Sequence, residues 1–308
     1  MRHAGSVWMS TVFLAGMLSW TQRLPAAGVE SLSADDVDFV LANTQFTVLH
    51  ELGHVLLAEL KPPFLGGDED AADHLAAAAL LMHGGGAPDP TVQRTLVLAA
   101  EGWALEWEIE RQDKAEHEYW DSHPLDIQRY YNIACLLYGS APAEHSAIRA
   151  QLRLPYQRAW GCEDEYRRVL RSLRWMHESQ GYTGHTRRHH APGVGVVYEP
   201  PAIAERVALH ALLRDSGVLE RSARIAREQL PLPTDVDIVL ANICGQTAYY
   251  RQDLHEVILC YALIDRFVRL AALRPCLALR TADRGNGAHQ SDRVQACIAR
   301  NAGSLHLR

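Results

Sequence analysis

The stretch 34–60 constrains this chain more than any other. Val37, Val40, Leu41, Thr44, Val48, Leu52, Val55 and Leu56 recur near helical spacing and Pro62-Pro63 closes the run, so the segment reads as one long helix. On that helix lies His50-Glu51-Leu52-Gly53-His54. An H-E-x-x-H spacing sets both imidazoles one turn apart on one face, where a single zinc ion takes them together. Glu51 leans beside that face, within reach of a proton on water at the metal, and Gly53 is expected to leave room near the ion.

A catalytic zinc takes a third protein ligand and keeps a position for water. Gly66-Gly67 marks a turn, and 68–82 reads as a second helix that is acidic in its first turn, rich in alanine and ended by Gly84-Gly85-Gly86. Glu69 is the best third ligand, with Asp70 and Asp73 as alternatives. Glu69 and Asp73 share a face, so Glu69 can bind the ion while Asp73 accepts a hydrogen bond from the outer nitrogen of a ligand histidine. The same acidic residues also suit a helix N-terminus, at about 0.3–1 kcal/mol each. The two roles are compatible.

A third helix is expected over 91–116, with Trp103 and Trp107 on one side, and more helix over 125–138 and 162–179. Segment 181–201, rich in Gly, Pro and His and holding the basic Arg187-Arg188-His189-His190, reads as a linker. After helix over 202–230, the runs 235–242 and 256–261 read as the strands of a hairpin. From 280 the chain is polar and aperiodic, which predicts an unordered tail. One echo stands out: residues 36–43 and 235–242 match at all but one position, one copy reading as helix and the other as strand.

With 48% hydrophobic residues among 308, the chain can bury a full core. A net charge of -7 argues against a nucleic-acid partner, since neutralising phosphates needs clustered Lys and Arg. Arg2 and His3 precede a mainly apolar run over 12–20, and Leu24-Pro25-Ala26-Ala27-Gly28 offers small residues for cleavage. Residues 1–28 therefore read as an export signal, too short in its apolar part to span a bilayer, and the mature chain as secreted or periplasmic with no stable membrane span. The six cysteines fit an oxidising compartment, and none forms a C-x-x-C pair.

Several blocks resemble a bacterial family of metallopeptidase type whose function is unknown: Phe46-Thr47-Val48-Leu49 before the motif, the run 65–73 with its E-x-x-x-D pattern, Tyr119-Trp120-Asp121-Ser122-His123, and the runs 128–139 and 158–166. The ligand block also resembles thermolysin-like gluzincins, which supports Glu69 over its neighbours. The resemblance implies a peptide or protein substrate and a disulfide between Cys135 and Cys162. Segments 244–250 and 257–261 resemble the family's strand-turn-strand block, which in the family precedes the metal helix. Here it follows. The preferred reading is that the hairpin folds back in permuted order and supplies the edge strand that zincin-like clefts use to pair with an extended peptide; the other is a broken second copy. Opposed strands of that hairpin would bring Cys244 and Cys260 within disulfide range.

The expectation is therefore a predominantly helical α+β protein with a small sheet. It has a zincin-like domain over 29–180, a helix-plus-hairpin segment over 202–279 and a tail over 280–308. One zinc per chain is held by His50, His54 and Glu69, with Glu51 as general base and Asp73 behind the histidines. To stabilise an oxyanion, His123 comes first and Arg129 or Tyr130 second, although His123 also suits a surface or capping role. His74 and His83 rank lower and are expected to be exposed, the alternative for His83 being a spare ligand. Zinc-dependent peptide hydrolysis follows, against the alternatives of a non-catalytic metal-binding or regulatory protein and an inactive rearranged relic.

Overall fold

The computed structural model describes residues 28–63, 66–85, 89–112, 123–179, 192–279 and 287–302. Seven helices come first: α1 (Ala34–Leu60), α2 (Asp68–His83), α3 (Pro90–Glu110), α4 (Asp126–Ser140), α5 (Ser146–Gln151), α6 (Tyr156–Ala159) and α7 (Cys162–Ser179). They are followed by β1 (Val194–Tyr198), α8 (Val207–Ser216), α9 (Val218–Gln229), β2 (Val236–Ala241), β3 (Ala248–Arg251) and β4 (Glu256–Cys260). Helices α10 (Tyr261–Ala271), α11 (Arg274–Ala278) and α12 (Gly287–Ala302) complete the described chain. The protein is α+β and predominantly helical.

Ser33 starts α1 with a capping box, its hydroxyl accepting from the Asp36 amide while the Asp36 carboxylate turns back to Ser33. Lys61, in the left-handed region, ends it just before the two prolines. From Phe39 to Leu57 the helix is buried on nearly all sides, because α2, α3, α9, α10 and β3 pack around it. Gly53 has a different use from the one its position suggests. A Cβ there would stand 3.0 Å from the Ala72 Cα, so this glycine lets α2 approach α1 closely.

The sheet runs β1-β2-β4-β3, with β1, β2 and β4 parallel and β3 antiparallel to β4 on the edge. Two expectations are corrected here. Strands β2 and β4 do not form a hairpin: Asp237 to Ala241 pair in parallel with Glu256 to Cys260. Parallel neighbours need a crossover, and the intervening segment supplies it by passing over the end of β4, returning as β3 and turning tightly at His255, whose φ is 53°. The disulfide between Cys244 and Cys260 ties that crossing loop to β4. The described hairpin is β3–β4. Residues 194–198, expected within a linker, are β1, where the β-branched Val194, Val196 and Val197 lie alongside β2; residues 180–191 fall outside the described residues.

The tail is corrected too. Helix α12 buries Val294 and Ile298, one turn apart, and donates from the Gln295 side chain to the Glu108 carbonyl of α3. Disulfide Cys276–Cys297 fastens it to α11. The C-terminal half thus folds back on the first: β3 and α10 pack on α1, the Tyr250 hydroxyl donates to Glu59 at 2.9 Å, and Arg266 of α10 pairs with Glu106 of α3. Among the described residues no helix is long and apolar enough to cross a membrane.

Candidate metal centre

One turn of α1 carries both histidines, whose Nε2 atoms lie 3.1 Å apart. Because Gly53 brings α2 in close, the Glu69 carboxylate reaches both rings, with Oε2 3.3 Å from His50 Nε2 and Oε1 3.4 Å from His54 Nε2. All three ligand atoms fall within 4.8 Å of one another. Two imidazole nitrogens and a carboxylate oxygen facing a common point are a donor set that suits zinc.

One turn further along α2, Asp73 Oδ1 accepts from His50 Nδ1–H at 2.8 Å. In the neutral ring that bond fixes the proton on Nδ1, so that Nε2 would present its lone pair to a metal at the cluster. Asp73 is 1% exposed, and Arg129 of α4 grips it twice, Nε to Oδ2 and Nη2 to Oδ1, each at 2.7 Å. His123, just before α4, places Nε2 3.3 Å from Glu69 Oε1 with more than half of its side chain exposed.

The electrostatics follow from these contacts. Burial pushes the His50 pKa down, but hydrogen bonds to Asp73 and Glu69 outweigh it and carry the value up to about 9. Burial raises Glu69 and Asp73, yet the two histidines pull Glu69 well below the carboxylate range and Arg129 with His50 brings Asp73 to about 2. For Glu51 burial is the larger effect and pushes the carboxyl up, against the lowering pull of His50 and His54. Asp126, also buried and facing Glu106 and Glu110, rises to about 7.

His50, His54, Glu51, Glu69, His123 and Arg129 line one cavity of about 710 Å³, whose lining also includes residues 246–250, Arg266 and Phe267. Edge strand β3 therefore borders the cavity in whose lining the cluster lies. The other residues weighed from sequence lie elsewhere. Asp70 accepts from Asn132 at 3.1 Å, the Tyr130 hydroxyl donates to the Leu152 carbonyl, and His83 pairs with Glu228 at 2.9 Å. His74 is only partly exposed, 3.9 Å from Glu165. Asp121 and most of the leader lie outside the described residues. Cys135 and Cys162 are bonded, joining α4 to α7. The sequence reading missed the pairing of Arg129 with Asp73, which are 56 positions apart in the chain and carry no local signal for each other.

A helical α+β chain thus gathers two histidines and a glutamate, in a donor set that suits a metal ion, in the lining of one cavity. The chain belongs to the family described as "Putative metallopeptidase", whose model matches residues 13–176 and 198–274. No curated protein and no solved structure matches it significantly.

Proposed function

We propose that this protein is a zinc-dependent peptide-bond hydrolase, exported to an oxidising compartment, with His50, His54 and Glu69 as metal ligands. The observation that carries the reading is the convergence of those three ligand atoms within 4.8 Å. A zinc ion held there would polarise a carbonyl and acidify water. Glu51 lines the same cavity as the cluster and burial pushes its carboxyl up; it is the group suited to take a proton from the attacking water and return it to the leaving amine. His123, exposed at the rim and close to Glu69, is the side chain suited to donate a hydrogen bond to the developing oxyanion. Arg129 and Tyr130 are committed to Asp73 and Leu152.

An extended peptide or protein segment is the substrate this cleft favours. Strand β3 is a sheet edge, so the backbone of residues 248–251 can pair with such a segment and lay it across the ligand cluster. Three disulfides, Cys135–Cys162, Cys244–Cys260 and Cys276–Cys297, support an oxidising compartment.

The test is metal content by mass spectrometry on untagged protein, with Glu69→Ala and Glu51→Gln alongside. We expect one zinc per chain in the natural protein, loss of it in Glu69→Ala and retention in Glu51→Gln, with peptide-library cleavage in the natural protein alone. A well-folded natural chain that carries no stoichiometric metal sinks the reading.

A further inference from the structure

Asp73 is nearly inaccessible to water, and a carboxylate so placed needs a cation. His50 cannot be that cation while its Nε2 binds a metal, because its Nδ1 then carries the only ring proton. Arg129 is buried, spans both Asp73 oxygens at 2.7 Å, and lays its guanidinium 3.6 Å from the centroid of the Trp103 ring. Its Nη2 also stands 3.3 Å from His50 Nδ1. In that tautomer both nitrogens are donors, so they sit side by side on Asp73 Oδ1 and the carboxylate is shared between them. Four helices contribute one residue each to this chain of contacts: Trp103 from α3, Arg129 from α4, Asp73 from α2 and His50 from α1.

We propose that Arg129, seated on Trp103, is a positioning residue for the metal centre: it holds Asp73 as the charged acceptor that fixes the Nδ1–H of His50 and so aims Nε2 at the ion. The proposal rests on the metal-binding reading above. It removes Arg129 from the candidates for touching substrate. A lysine would restore charge, but its ammonium cannot bridge both carboxylate oxygens or stack flat on an indole.

The experiment measures zinc affinity by competition with a chromophoric chelator, with no substrate present, together with the visible spectrum of the cobalt-substituted protein and the melting temperature of the metal-free form. It compares the natural chain with Asp73→Asn, Arg129→Met, Arg129→Lys and the double variant Asp73→Asn/Arg129→Met. Loss of a carboxylate that orients a ligand histidine weakens metal binding roughly 10–100-fold, and Arg129→Met should show a loss of the same size with a shifted cobalt spectrum. Arg129→Lys should fall between it and the natural chain. Because Arg129 acts through Asp73, the double variant should bind zinc no more weakly than Asp73→Asn. It should also melt above Arg129→Met, which strands a buried carboxylate.

Zinc affinity within about twofold of natural in Arg129→Met, or a double variant whose loss is the product of the two single losses, overturns the proposal. Should Arg129→Met fail to fold, the double variant set against Asp73→Asn still decides: equal affinities support the proposal and a further tenfold loss overturns it. Absence of metal from the natural chain sinks the peptidase reading and the clamp together. A metal-loaded natural chain with an unaffected Arg129→Met sinks the clamp alone.

Discussion

Residues 36–43 and 235–242 carry the same side chains except for Phe39 against Ile238, yet the first lies within α1 and the second forms β2 over Val236–Ala241. Their surroundings differ more than their sequences. The helical copy is preceded by the Ser33 cap and runs into further residues with helical spacing as far as Leu60, whereas Pro231 and Pro233 stand before the strand copy and Gly245 follows it. In α1 the buried positions are Phe39, Val40, Ala42 and Asn43; in β2 they are Val236, Ile238 and Leu240 on one face, with Val239 on the other. Identical local propensity is resolved by the flanks and by what each segment packs against.

The contrast extends to what holds each copy in place. Helix α1 is fixed from Phe39 to Leu57 by packing on nearly all sides, while the strand copy sits beside β4, whose crossing loop is pinned by Cys244–Cys260 over a separation of 16 residues. Cross-links over loops of this size contribute about 3 kcal/mol. Replacing both cysteines with serine is therefore expected to lower the free energy of unfolding by about that much and to speed amide exchange in 236–260 far more than in 36–54. Hydrogen exchange read by mass spectrometry checks this, and equal acceleration in the two copies would mean that they share one support.

A matched pair of glycines gives the next largest effect. A Cβ on Gly102 would stand 2.1 Å from Asn43 Oδ1, and one on Gly195 would stand 2.0 Å from Asp237 Oδ1. The distances agree, but the obstacles do not. Asn43 is buried and its amide donates to the Phe39 and Leu98 carbonyls, whereas Asp237 is exposed on its strand and free to swing. Gly102→Ala should cost about 1–3 kcal/mol through overpacking, and Gly195→Ala less than about 0.5 kcal/mol. Urea melts compare the two, and equal costs would show that Asp237 is as fixed as Asn43.

Swapping the single differing residue probes the same contrast. Phe39 is fully buried beneath Arg274, whose guanidinium lies 5.2 Å from the ring centroid, and Ile238 is fully buried in the sheet. Phe39→Ile leaves space and Ile238→Phe overfills it, each expected to cost about 1–2 kcal/mol. Neither should change the secondary structure. A gain or loss of helix in the far-ultraviolet circular dichroism of either variant would show that this one position, and not its context, makes the choice.

The features legible in the sequence are the local ones. The H-E-x-x-H pair and the Glu69–Asp73 spacing are patterns within single helices, and helical geometry alone places such residues on common faces. The partners of those residues come from distant segments. Nothing near Asp73 in the chain says that Arg129 will span it, and nothing near Gly53 says that its missing side chain is needed by Ala72 and not by an ion. Strand pairing is likewise non-local: residues 235–242 and 256–261 read as strands, but their parallel order depends on the loop around Cys244 crossing β4. Val194, Val196 and Val197 lie in a segment whose Gly, Pro and His content masks them, and in α12 the buried Val294 and Ile298 stand in a mostly polar run.

The smallest expected difference concerns how each copy begins. The Ser33 hydroxyl accepts from the Asp36 amide at 3.2 Å at the head of α1, while the Asp235 carboxylate accepts from the Gly193 amide at 2.6 Å just before β2. Both contacts lie in exposed positions, but they do different work. Ser33 satisfies an amide that helix geometry leaves without a partner, so Ser33→Ala should cost about 1 kcal/mol. The Gly193 amide lies at the sheet edge, where water replaces a lost carboxylate, so Asp235→Ala should cost only a few tenths of that, about 0.3 kcal/mol. Thermal melts at a single pH separate the two variants. A larger loss for Asp235→Ala would place the controlling contact of the strand copy at its first residue, and the proline-flanked context would no longer account for the choice of strand.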